Sequence, residues 1–96
     1  MKKVVPIRLE GTIGFDRETG KVMAVYFRVR PGKAAETKEF ANGNAFADYD
    51  SKGRLLGLEL LGPCKVTVLD RISRGEPKPV KSFFRNSVPA QMLVAG

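Results

Sequence analysis

From Val5 to Phe15 the odd positions read Val5, Ile7, Leu9, Gly11, Ile13 and Phe15, while the even ones read Pro6, Arg8, Glu10, Thr12, Gly14 and Asp16. This period of two is that of a strand with one face buried and the other wet. Asp16-Arg17-Glu18-Thr19-Gly20 then supplies turn chemistry. Lys21 to Arg30 resumes with Val22, Val25, Tyr26, Phe27 and Val29, β-branched and aromatic residues suited to a pleated surface. The two segments predict an antiparallel hairpin. Pro31-Gly32 breaks the chain, Ala35 to Phe40 reads as a short polar strand, and Asn42-Gly43 is a tight-hairpin signal. Ala45 to Tyr49 follows, Asp50-Ser51-Lys52-Gly53 turns the chain, and Leu55 to Leu61 is the most apolar strand. Five strands joined by turns need no crossover helices, so an antiparallel meander is expected over about 4–62.

Beyond Gly62-Pro63 the pattern changes. Val66-Thr67-Val68 favours a strand, whereas Val66, Leu69 and Ile72/Ser73 share a helix face; the second pattern is preferred and predicts a short helix over 66–73. Arg74 to Lys81 contains Gly75, Pro77 and Pro79 and reads as an irregular connector. Ser87 before Val88-Pro89 has the form of an N-cap with proline in the first turn, which predicts a last short helix over 88–95. The expected fold is therefore mainly β, a β-rich α+β arrangement of about five strands with one or two short C-terminal helices, and residues 63–96 cover the sheet. Phe83-Phe84 reads as core packing; the alternative is a base-stacking platform flanked by Lys81 and Arg85.

At 96 residues the chain fits one domain, 1–96. Its net charge of +7 is unevenly spread. Residues 1–33 carry eight bases and three acids, 34–64 three bases and five acids, and 65–96 six bases and two acids. Either the basic flanks form a nucleic-acid surface, with Arg28, Arg30, Lys33, Lys78, Lys81 and Arg85 as its contacts, or the acidic centre meets the basic ends within the fold or across a dimer. The apolar stretch from Leu55 to Cys64 contains Glu59 and falls far short of the roughly 20 residues that span a bilayer. Arg8 likewise stops the apolar run after Lys2 and Lys3 before a signal peptide can form. The cytoplasm is the expected location, with no membrane contact.

The chain has no histidine and no tryptophan. There is then no imidazole base for a nucleophile and no imidazole metal ligand. The single cysteine, Cys64, follows an apolar strand and reads as a small buried residue, with a reactive thiolate beside Lys65 as the alternative. Carboxylates pair at Asp48/Asp50 and Glu36/Glu39, and a carboxylate hydrolase would use Asp48, Asp50 or Glu59. Asp48, Asp50, Lys52, Gly53 and Glu59 also match the spacing of a calcium-binding loop. Lys52, however, puts a cation where an oxygen ligand belongs, and a hairpin turn explains Asp50 and Gly53 better. No metal and no cofactor are expected.

The segment Ala47-Asp48-Tyr49-Asp50-Ser51-Lys52-Gly53-Arg54-Leu55-Leu56-Gly57-Leu58-Glu59-Leu60-Leu61 resembles the short bacterial and archaeal domain-of-unknown-function family 2283, in which an acidic DYD-type turn leads into a strand of the form GxLVGIEIL. Val25 to Val29 is similar to that family's LYIRL strand, and Glu36-Thr37-Lys38-Glu39 to its T-x-E strand. The likeness covers about residues 15–62. It departs at Met23, where the family carries an acid, and in a longer loop after Asp16. The resemblance implies a small β-meander without established activity, and an antitoxin-like or other protein-binding role. Asp48, Tyr49, Asp50, Gly53, Gly57 and Glu59 form its turn motif, with Gly57 marking a bulge or the close approach of another backbone.

The expected function is a non-enzymatic binding or assembly module, because a meander of this size leaves two sheet edges exposed. A homodimer is the simplest form, a different protein partner the next. The alternative is a basic nucleic-acid-binding domain, and the carboxylate hydrolase stands last.

Overall fold

The computed structural model describes residues 7–94. Five antiparallel strands form one sheet: β1 (Glu10–Phe15), β2 (Val22–Arg28), β3 (Glu36–Phe40), β4 (Ala45–Tyr49) and β5 (Leu55–Leu60), in the order β1-β2-β5-β4-β3. A hairpin, β1–β2, and a three-stranded meander, β3–β4–β5, are joined by pairing β5 to β2. The link from Val29 to Ala35 carries the chain to the far edge. The most apolar strand, β5, thereby comes to lie in the centre, where Leu58 and Leu60 are fully buried.

Local chemistry sets the turns. Asp16 accepts the backbone N–H groups of Glu18 and Thr19 through one carboxylate oxygen, and Gly20 closes the β1–β2 turn at φ +73°. Asp50 does the same work between β4 and β5, accepting the N–H groups of Lys52 and Arg54 while Gly53 takes φ +79°. Between β3 and β4 a 3-10 turn, Ala41–Gly43, holds its three residues at positive φ.

The second layer begins with β6 (Cys64–Lys65), followed by α1 (Val66–Ile72), α2 (Lys78–Ser87) and β7 (Leu93–Val94), which pairs in parallel with β6. Val68, Leu69 and Ile72 of α1 and Val80 and Phe84 of α2 join Val25, Phe27, Leu58 and Leu60 in one core on one face of the sheet. Phe27 meets Phe83 edge-on, with ring centroids 5.1 Å apart, so the Phe83-Phe84 pair is core packing.

Three expectations are corrected. The connector over Arg74 to Lys81 gives way to α2 from Lys78, because Pro77 and Pro79 occupy its N-cap and first turn, where the missing amide is not needed. The expected helix over 88–95 is replaced, among the described residues, by a 3-10 turn at Ala90–Met92 and by β7; Ser87 ends α2, and β6 takes Leu93 and Val94 as its ladder partners. The first strand begins at Glu10 rather than Val5, which lies outside the described residues, and none of its six residues is buried. Gly11 and Ile13 do face the helical side, opposite Phe27 and Val25. The helices reach only as far as Gly11, where Phe83 would lie 3.7 Å from a Cβ.

Candidate functional site

The two sheet edges carry different side chains. On β1, Ile13 is 40% and Phe15 59% exposed, and Met23 beside them on β2 is 56% exposed. The N–H groups of Arg8 and Asp16 point inward, to Val29 O and Lys21 O. Strand alternation therefore turns the peptide groups of Gly11 and Ile13 outward, away from β2. On β3 the exposed side chains are Glu36, Thr37, Lys38 and Glu39. Lys38 lies 3.7 Å from Glu36 and over the Tyr49 ring.

A second surface lies between the helices. Arg74 from the α1–α2 turn and Lys78, Lys81 and Arg85 from α2 line a groove of about 480 Å³ with Asp70, Ser73 and Ser82. Lys78, Lys81, Ser82 and Arg85 share one stripe of α2, spaced for a single helix face. Arg85 grips Asp70 with two hydrogen bonds, 2.9 and 2.7 Å. That contact holds the Asp70 carboxyl below the usual carboxylate range, with the Lys81 charge adding to it. Three of the six basic residues expected to meet nucleic acid, Lys78, Lys81 and Arg85, thus converge, and Arg74, which sequence reasoning passed over, completes the set. Its signal was present, four residues before Lys78 in the same basic stretch.

The other three lie elsewhere. Arg28 is exposed on β2 and shares a hollow with Arg8, Glu10 and Pro31. Lys33 is exposed on the link between β2 and β3. Arg30 is buried at 7% exposure, where it donates to Leu55 O and lies 2.7 Å from Glu76. Its guanidinium pins the link against the α1–α2 turn, and its Nε is buried without a hydrogen-bond partner among the described residues.

The acidic turn motif divides as well. Asp50 is held by the backbone of Arg54 and Lys52 and by the Arg54 side chain, which together keep its carboxyl below the usual range. Asp48 accepts the Thr37 hydroxyl at 2.6 Å and lines a hollow on the helix-free face with Tyr26, Phe46 and Glu59. Asp48 and Glu59 therefore share a face, while Asp50 belongs to the turn. Burial raises the Tyr49 hydroxyl pKa, with the charges of Glu76 and Glu36 adding to the shift. A Cβ on Gly57 would meet Tyr26 Oη at 2.8 Å and Phe27 O at 2.9 Å, so glycine is required by the approach of β2. Cys64 is buried, and burial pushes its thiol pKa up, away from the reactive thiolate. Among the described residues no group of three or more His, Cys, Asp and Glu side chains converges as a metal site would require, and no helix is long and apolar enough to cross a membrane. Comparison with protein-family models, with curated proteins and with solved structures finds no match.

Proposed function

We propose that the protein is a non-enzymatic assembly module whose sheet is completed across β1 by a second copy of the chain. The observation that carries this reading is the coincidence, on one strand and among the described residues, of outward backbone groups with the exposed apolar side chains of Ile13 and Phe15. An unpaired edge of this kind is a template for another strand.

The residues of β1 favour one self-pairing register. A two-fold axis through Thr12, perpendicular to the sheet, sets Thr12 against Thr12 of the second copy and Gly11 against Ile13. It also sets Leu9 against Phe15 and Arg8 against Asp16. Directly opposed residues share a face, so the large apolar side chains meet Leu9 or the space above Gly11, and the charges are of opposite sign. Moving the axis to Ile13 would oppose Glu10 to Asp16, two like charges. In the favoured register Gly11 and Ile13 exchange backbone hydrogen bonds, and the Thr12 pair is of the closer type, with Cα atoms about 4.5 Å apart.

Light scattering tests the assembly, and a cysteine tests its register. The expected mass is twice the 10.5 kDa of one chain. Thr12→Cys should form an intermolecular disulfide on mild oxidation, since about 4.5 Å lies within disulfide range, and the native Cys64 is buried. Gly14→Cys should not. A monomeric mass at every concentration would overturn the assembly; a dimer that fails to cross-link through position 12 would overturn the register.

A further inference from the structure

We propose that the groove between α1 and α2 binds the phosphodiester backbone of nucleic acid, with Arg74, Lys78 and Lys81 as its phosphate contacts. The groove is complete within one chain and does not depend on the pairing of β1.

The fold offsets only part of its charge, the Asp70 carboxylate being shared between Arg85 and the nearby Lys81. Among the described residues Arg74, Lys78 and Lys81 make no salt bridge, and the one carboxylate in the groove, Asp70, is held by Arg85. Lys78 and Lys81 sit at the N-terminal end of α2, where the helix dipole disfavours cations, and no acid stands in the first turn to offset them. Such an arrangement lowers the helix's own stability, and a breach of local preference of this kind marks a functional site. An anion in the groove reverses the sign, because the cations and the dipole then act together.

The lining selects the kind of anion. Every residue facing the groove is polar or charged, so it offers no apolar anchor for a protein partner and no wedge for a lipid surface. Phe83 and Phe84 are taken up by the core, and no aromatic side chain lines the groove on which bases could stack. What remains is a stripe of donors from Lys78 to Arg85, about 10 Å long at helical rise. That stripe is continued at one end by Arg74. Contact of this type holds the sugar–phosphate chain and does not read sequence.

The test is the salt dependence of binding to a fluorescein-labelled DNA duplex, measured by anisotropy on the full chain. Three phosphate contacts give a slope of log K against log salt of about −3. Arg74→Ala, Lys78→Ala and Lys81→Ala should each reduce that slope by about 1. Lys21→Ala and Lys52→Ala, exposed outside the groove, should leave it unchanged. Circular dichroism of each variant checks that the fold survives. The proposal is overturned by absence of binding at low salt, or by a slope that the groove variants do not move. It also fails if inorganic phosphate displaces the duplex where chloride of equal ionic strength does not, since that would mark a pocket for single phosphate groups. Tighter, groove-dependent binding to phosphatidylcholine vesicles doped with phosphatidylserine would assign the surface to membranes instead.

Discussion

β1 and β3 bound the same sheet and face the same problem, a row of backbone groups with no neighbouring strand among the described residues. β3 meets it with charge: Glu36, Lys38 and Glu39 would have to be desolvated or opposed by any strand that paired there. β1 has a single charged side chain, Glu10, followed by Gly11, Thr12, Ile13, Gly14 and Phe15. The protection is therefore one-sided. Among the described residues, charge guards one edge of this sheet and leaves the other with a composition that suits a partner strand, so that pairing as proposed through that edge alone would close at two copies instead of growing into a filament.

Breaking the joint between the two edges should have the largest effect. The link to β3 is pinned where Arg30 meets Glu76, and removing one partner of a buried pair costs about 3–5 kcal/mol. Glu76→Gln should therefore lower unfolding stability by about that amount in urea titrations, while Glu36→Gln on the exposed edge changes it little. Moving β3's device onto β1 comes next. Ile13→Lys should raise the dimer dissociation constant by about a hundredfold, measured by sedimentation, and leave the folded monomer intact because Ile13 lies at the exposed edge, outside the buried core. The seam where hairpin and meander join gives a smaller loss. Gly57→Ala forces a methyl against Tyr26 and the Phe27 carbonyl, and overpacking of this kind costs about 1–3 kcal/mol.

Acid supplies the mildest comparison. The Asp16 and Asp50 carboxyls, at the turns of the hairpin and of the meander, are both held below the ordinary range by backbone N–H donors. A lowered folded-state pKa stabilises the fold above the unfolded value and is lost as pH falls through the folded one. Stability should thus decline as pH falls below the ordinary aspartate value of about 3.9. Asp50→Asn should flatten that decline without changing the mass of the assembly. Asp16→Asn should flatten it and, in the proposed register, which sets Asp16 against Arg8 of the second copy, also weaken the dimer.

How much of this could be read from the chain differs by region. The strands over 22–28, 45–49 and 55–60 were legible because apolar runs between turn residues leave little choice of period or boundary. The charged edge was legible in Glu36-Thr37-Lys38-Glu39. The exposure of β1 was not, since its alternation is that of a buried face and only the reach of the helices decides whether anything covers it. Pro77 and Pro79 hid α2 by appearing to forbid a helix that they in fact begin. The fate of Arg30 was hidden for another reason: its partner Glu76 lies in the turn between the helices, and nothing local distinguishes a buried arginine from a solvated one. The groove was half legible, as a basic count without the geometry that gathers Arg74, Lys78, Lys81 and Arg85.

The most direct test of the difference between the edges is amide hydrogen exchange, residue by residue, at high and low protein concentration. The outward N–H groups of Gly11 and Ile13 should be protected in concentrated protein and exchange freely on dilution, while the solvent-facing amides of β3 exchange freely at both. Equal, concentration-independent exchange at Gly11 and Ile13 would contradict the pairing of β1 with a second copy.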